Sequence, residues 1–397
     1  MFGCGDSMHA LPAQPPARDV ASALKSRVGR LLHMAELRRD ALDAALTLTL
    51  GGTLGVLGST LLTTSVTSPS HTSREGRIHV LPSDGRTVRL GVFDSTLPDL
   101  LEVESGDVVV YPDTWSHFLN RLQPGVSIDD LGQLRREHPG VGPHSIVGPV
   151  GVRGAEAGDL LTIHFQRLIP VDWGATFFNP GDLRTGTLFD EFSDGHVRYL
   201  SLDLASMTAE LVPGVRLPLA PFQGTIGVAP AQGGVVSSVP PGQHAGNIDL
   251  RELSEGSTLY VPVWQHGAKL FTGDSHATQG DGEVNNQALE SAMREVRIQV
   301  MLHKQAGWSW PMAETATHWI MLGIDADLNE AVRVATRNTI DFLVRRARLS
   351  RADAYCLASI GVSFRVTQFV NQTRGIHALI PKALFSEELR NEMRIAS

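Results

Sequence analysis

Gly148-Pro-Val-Gly-Val-Arg-Gly-Ala-Glu-Ala-Gly-Asp159 runs directly into Leu160-Leu-Thr-Ile-His-Phe165. The first stretch reads as a strand followed by a turn, because its glycines permit tight corners. The second clusters apolar and β-branched residues over a strand's length. Working outward, Arg77–Val80, Thr87–Phe93, Asp107–Tyr111 and Thr258–Trp264 repeat the theme between Gly, Pro and Asp punctuation. Short strands at that spacing predict a sandwich or barrel.

The pattern changes near the C-terminus. Asp327–Arg346 spaces Leu328, Ala331, Val332, Ala335, Ile340, Leu343 and Val344 at helical intervals without Gly or Pro, which predicts a five-turn helix. Ser350-Arg-Ala-Asp353 announces a second helix through a variant of the capping box, running to about Ser359. Gly361–Ile380 returns to strand. The expected fold class is therefore α+β and predominantly β, with a β-sandwich or barrel-like core and a helical C-terminal portion. Two parts are expected: a β domain over 72–223 and an α+β portion over 224–397 that carries the site.

The N-terminal region has a different character. Residues 1–33 are polar and non-periodic and read as disordered. Residues 34–71 place Arg38-Arg39 before a mildly apolar run from Ala44 to Leu62, with a Ser/Thr tail. That order is the layout of an export signal of twin-arginine type, although Asp40 and Asp43 depart from it. A helix packed on the surface is the competing reading, and translation starting at Met34 is a side hypothesis. Export to the periplasm or exterior is thus one expectation and a cytoplasmic location the other. Gly51, Gly52, Gly55 and Gly58 make the run a poor anchor, so no stable membrane span is expected in the mature chain.

Composition narrows the function. The chain has 34 basic and 42 acidic residues, a net charge of −8 and no basic cluster, which argues against a nucleic-acid partner. Its two cysteines, Cys4 and Cys356, form neither a disulfide framework nor a thiolate metal site. Any bound metal must therefore rest on His, Asp and Glu.

Those residues concentrate in three runs: Pro240–Asp249, Gly273–Glu283 and Glu314–His318. Asp274 and His276, two apart on an extended strand, would share a face. Gly273, Gly280 and Gly282 would turn Asp281 and Glu283 back toward it. His244, Asp249, Asp274 and His276 then supply a mixed nitrogen and oxygen set suited to zinc. Four ligands crowd a catalytic ion, so one of them belongs either to an outer shell or to a second ion. Taken singly, each Asp reads equally as a turn residue and His244 as a hydrogen-bonded loop histidine. The density of the cluster carries the metal reading. A metal lowers the pKa of its water to roughly 7, and Glu283 is placed to shuttle the proton. No Gly-x-Ser-x-Gly elbow occurs, neither cysteine lies near the cluster, and the lysines are scattered, so serine and thiol nucleophiles lack support.

At these residues the sequence resembles the acetamidase/formamidase family. Pro240–Asp249, Leu259–Trp264, Gly273–Val284, Glu314–His318, Asp325–Phe342, Val366–Val370 and His377–Phe385 carry the resemblance, with Gly148–Asp159 fitting the N-terminal part. It implies hydrolysis of short-chain linear amides such as formamide and acetamide to acid and ammonia, a divalent metal of zinc type, and a homo-oligomer. It implies metal roles for His244, Asp249, Asp274 and His276, and a catalytic role for Glu283. Where the family often has Cys-Gly after Gly-Glu-Val, this chain has Asn285-Asn286, which favours a metal-activated water over any thiol. The segment Trp115–Pro143, with His117 and His138, is longer than in compact members and is expected to line the pocket and alter substrate size. The alternatives are a γ-lactam hydrolase using the same machinery, a cupin-type oxygenase, for which Asp-x-His replaces the needed His-x-His, and a non-catalytic metal-containing binding protein.

Overall fold

A computed structural model describes residues 76–395. The expectations for 1–33 and 34–71, including export and Cys4, lie outside the described residues. Within them, no helix is long and apolar enough to cross a membrane.

Two large sheets carry the architecture, one of nine strands and one of eleven. In the first, Leu160–Pro170 lies between Met293–His303 and Thr258–Pro262, antiparallel to both. In the second, Leu270–Thr278 pairs along one edge with Phe222–Gly227. Its other edge is divided between Ser145–Val152 and Leu289–Glu290. Neither sheet closes, so of sandwich and barrel it is the sandwich that forms. Val147, Val150 and Ile226 from one sheet share a core with Leu161, Ile163, Val296 and Ile298 from the other.

The nine-stranded sheet buries both faces. Along His318–Asp325, Ile320, Leu322 and Ile324 join the core between the sheets, while Trp319 and Met321 face a second core. Alternation with period two explains this division, because successive side chains leave a strand on opposite sides. Ile340, Phe342 and Leu343 of the helix Leu328–Ala347 cover that second face. The layers are thus sheet, sheet and helix, a predominantly β member of the α+β class.

Local signals hold at particular points. Asp327 caps the long helix by accepting from Asn329 N at 2.7 Å, and Ser350 caps Arg351–Gly361 by accepting from Asp353 N at 3.0 Å. Gly91, at φ 62°, breaks the expected strand Thr87–Phe93 into Val88–Leu90 and Val92–Asp94. Val332, expected on the apolar face, is 38% exposed. The expected boundary at 223/224 does not separate the sheets. Val108–Pro112 and Leu160–Pro170 both pair with Met293–His303, and Ser145–Val152 pairs with Leu270–Thr278.

Candidate active site

The middle of Leu270–Thr278 is where the strand exchanges partners, from Ser145–Val152 to Leu289–Glu290. Asp274 sits at that exchange with φ 61°, so the backbone there is left-handed, not extended as the two-residue spacing suggested. Asp274 and His276 converge nonetheless: Asp274 Oδ1 lies 3.2 Å from His276 Nε2. Asp249 (φ 49°) and Glu283 (φ 47°) adopt the same left-handed backbone. Asp tolerates that region better than most residues, and such strain collects at functional sites.

His117 enters from a helical turn, His117–Asn120, in which Phe118, Leu119 and Asn120 are all left-handed. That backbone costs roughly 1–2 kcal/mol per residue and is held by long-range ties. Phe118 N donates to Pro143 O (2.7 Å), Leu119 N to Ser145 Oγ (3.0 Å) and Ser116 Oγ to Leu122 O (2.6 Å). His117 Nε2 thereby donates to Asp274 Oδ1 at 2.7 Å. Glu290 Oε2 lies 3.2 Å from both His117 Nε2 and His276 Nε2. His144 Nε2 is 3.9 Å from Asp274 Oδ2, and its Nδ1 is tied to Ser238 Oγ at 2.6 Å. Asn371 Nδ2 donates to Asp249 Oδ2 at 2.5 Å, and Thr225 Oγ1 to Asp274 Oδ2 at 3.1 Å.

The electrostatics describe a site short of positive charge. Burial, then Asp274 and Glu290, push the Asp249 carboxyl well above its ordinary value, against the pull of His276. Burial and then Asp249 do the same to Glu283. Burial would also raise Asp274, but His276, His144 and His117 hold it well below. Burial opposes charge on His276, yet Glu290 and Asp274 raise it well above the usual imidazole range. The imidazoles alone balance the buried carboxylates.

The residues fit a divalent metal. Asp249, Asp274 and His276 each offer a ligand atom, all within 4.8 Å of one another, as do His117, His144 and Asp274. His276 Nδ1, Asp249 Oδ1 and Glu283 Oε2 are buried without a hydrogen-bond partner. Gly224 leaves the space between them: a Cβ there would meet His276 Cε1 at 2.4 Å and Asp249 Oδ1 and Asp274 Oδ2 at 2.7 Å. Buried polar atoms are ordinarily satisfied, so a cradle of orphaned N and O atoms is the donor set a zinc-type ion takes.

Three of the four metal candidates named from sequence, Asp249, Asp274 and His276, therefore come together, with Glu283 in the same cavity. His244 stands outside that group. Its ring packs edge-on to Phe93 at 5.5 Å, its Nε2 has no partner, and burial lowers its pKa to about 4. Asp281 turns away toward Arg251 and Arg365, at 3.8 and 3.7 Å. Glu314 pairs with Tyr260 and Lys382 in the other sheet. The long 115–143 segment does line the cavity through His117, Phe118, Arg135 and Pro143, while His138 caps a helix end. His144, Glu290 and Asn371 were not legible as site residues, since none lies in the polar runs that the sequence singled out. Asn286, with φ 72°, occupies the place of the family's glycine in a backbone that glycine favours.

The cavity measures about 220 Å³. Comparison with known proteins bears on the family of the chain. The profile of the Acetamidase/Formamidase family matches residues 93–237 and 231–387. An acetamidase of Mycolicibacterium smegmatis is 27% identical over 199 residues, 36% of this chain and 49% of that protein. The chain spans about half the length of the curated relatives it matches. The crystal structure of an acetamidase from Bacillus halodurans superposes with a TM-score of 0.69 at 28% identity, over 78% of this chain and 99% of that one. That of an acetamidase from Yersinia enterocolitica gives 0.71 at 29% identity, over 79% and 95%. The chain, matched along most of its length, belongs to the acetamidase/formamidase family.

Proposed function

We propose that the chain hydrolyses the C–N bond of small carboxamides, releasing a carboxylic acid and ammonia, with a divalent metal held by Asp249, Asp274 and His276. The observation that carries this reading is the cradle of buried donors without partners, opening on a cavity, in a chain of this family. A bound zinc-type ion would supply Lewis acidity to the amide carbonyl and to the attacking water.

The chain's own groups do the rest. The Glu283 carboxylate, which lines the cavity with Asp249, Asp274 and His276, is the base that takes a proton from water. Once protonated it is the acid that delivers that proton to the departing nitrogen. Water thus adds to the carbonyl carbon, the C–N bond breaks, and ammonia leaves with the shuttled proton. Asn371 orients Asp249, and Thr225 and His117 orient Asp274, the support that metal ligands ordinarily receive. Self-association and export through residues 34–71 belong to the same proposal, tested by sedimentation and by N-terminal sequencing.

The test is ammonia release from formamide, acetamide and propionamide before and after chelation. Activity is expected to vanish on chelation and return with zinc; turnover surviving complete metal removal would overturn the mechanism. Glu283→Gln is expected to keep its metal and lose about 10²–10⁴-fold in kcat, the usual worth of a proton shuttle. A full rate in that variant would remove Glu283 from the role.

A further inference from the structure

The cavity has room for more than the smallest amides. At about 220 Å³ it has the volume of roughly seven waters at about 30 Å³ each, several times what formamide displaces. Its wall also holds a cation with no hydrogen-bond or ion-pair partner among the described residues. Arg135 lies in the helix Ile128–Glu137, inside the long 115–143 segment, and lines the cavity beside Phe118, Pro143 and His144. Its neighbour Arg136, which leaves the helix in another direction, is doubly bonded to Asp182 through Nε (3.1 Å) and Nη2 (2.8 Å). Arg135 makes no side-chain hydrogen bond and no ion pair with any described residue, although its side chain is only partly exposed to solvent.

A helix C-terminus favours a basic residue, but an exposed arginine meets that need, as Arg136 does. A guanidinium without a counter-ion, turned into a cavity, is costly unless an anion arrives to pair with it. The cavity's own carboxylates do not pair with it: Asp249 is bonded to Asn371, Asp274 to His117 and Thr225, Glu290 faces His117 and His276, and Glu283 Oε2 has no hydrogen-bond partner, Arg135 included. Arginine's fork matches a carboxylate with two parallel hydrogen bonds.

We propose that Arg135 binds a carboxylate carried by the substrate, so that the preferred substrates are monoamides of short dicarboxylic acids. The inference rests on the amidase reading and names its substrate class. Hydrolysis would proceed as above: water adds to the amide carbon, the C–N bond breaks, ammonia leaves, and a dicarboxylate remains.

The experiment compares succinamate with succinamide, which differ only in a carboxylate against a carboxamide at the far end, with acetamide as the short neutral control. The wild type is expected to favour succinamate by about 10–100-fold in kcat/KM, the worth of one charge-assisted bidentate contact. Arg135→Gln is expected to bring the ratio to about one, and Arg135→Lys, which keeps the charge without the fork, to fall between. A wild-type preference for succinamide, or a preference for succinamate that survives Arg135→Gln, overturns the inference while leaving the amidase reading intact. No ammonia from any of the three overturns the amidase reading. Calorimetric titration with succinate then decides Arg135 by itself: about tenfold weaker binding to Arg135→Gln is expected, and equal affinity overturns the inference. Thermal unfolding of both variants accompanies the kinetics, so that a folding defect in Arg135→Gln leaves Arg135→Lys to decide.

Discussion

Two constellations of two carboxylates and one histidine stand in this chain, one buried throughout and the other reaching the surface at Asp281. One is Asp249, Asp274 and His276; the other is Glu252, Asp281 and His377, again with ligand atoms within 4.8 Å of each other. They differ in where their positive charge comes from. The Arg365 guanidinium lies 3.6 Å from Glu252 and 3.7 Å from Asp281, and Arg251 lies 3.8 Å from Asp281. Burial would raise Glu252, yet His377 and then Arg251 hold its carboxyl below the usual range. The first constellation has no arginine or lysine among its partners in the described residues. Burial and mutual repulsion push Asp249 and Glu283 up, and His276 is driven up to compensate. One cluster draws positive charge from the chain's own arginines and the other only from its imidazoles, and it is at the second of these that the proposed metal would add charge.

The strongest way to break this contrast is to remove a donor from each cluster. His276→Ala should lower kcat/KM by about 10³-fold or more, or roughly 4 kcal/mol of transition-state stabilisation, with loss of bound metal by elemental analysis. The corresponding change, His377→Ala, should leave metal content unchanged; a loss of metal there would place the ion in the wrong cluster.

Next comes the cradle itself. Gly224 lies outside the left-handed region, so Gly224→Ala is tolerated by the backbone while its methyl enters the space among Asp249, Asp274 and His276. Metal affinity is expected to fall by about 100-fold or more, at the upper end for changes around a metal site, as read by competition with a chelating dye. Unchanged affinity would mean that the ion sits elsewhere.

A third histidine sharpens the comparison because it has neither carboxylate nor arginine beside it. Burial lowers His244 to about 4, below its unfolded value near 6.5. The folded state thus binds fewer protons between those values, so its contribution is complete above the unfolded pKa and declines as pH falls toward 4. Stability should drop by about 2 kcal/mol between pH 7 and pH 5 on this account. Denaturant curves of His244→Gln should lack that component; a pH profile parallel to the wild type would show that His244 is not buried neutral.

The smallest effect is expected at Arg365. Its side chain is half exposed, so solvent screens the pair, and Arg365→Met should cost only about 1 kcal/mol of stability. Amide turnover and metal content should stay close to the wild type. Loss of metal would show that the two clusters are one.

How far these features were legible follows from their range in sequence. Ser350 and Asp353 meet three residues apart, so the helix start could be read directly. Asp274 and His276 are neighbours on one strand and were found together with Asp249 and Glu283 because glycines mark the turns around all of them. His117 reaches Asp274 across 157 positions and Asn371 reaches Asp249 across 122, and nothing local announces either contact. His244 carried the same motif signal as Asp249 but packs against Phe93. Spacing alone does not say which side of a left-handed turn faces the cavity.

The sequence by itself determined what short-range physics controls: a β-rich chain with two C-terminal helices, one announced by its cap, an acidic balance, and a family motif rich in His and Asp. Tertiary structure decided which of those side chains meet. The strand Leu270–Thr278 changes partners at Asp274, and that junction admits His117 and Glu290 from distant elements while Gly224 leaves the gap between the donors. It also separated the cluster that contains its own arginine from the one that does not. The physical reason is that charge compensation in a buried site depends on distances through space, which strand exchange and layer packing set and residue spacing does not.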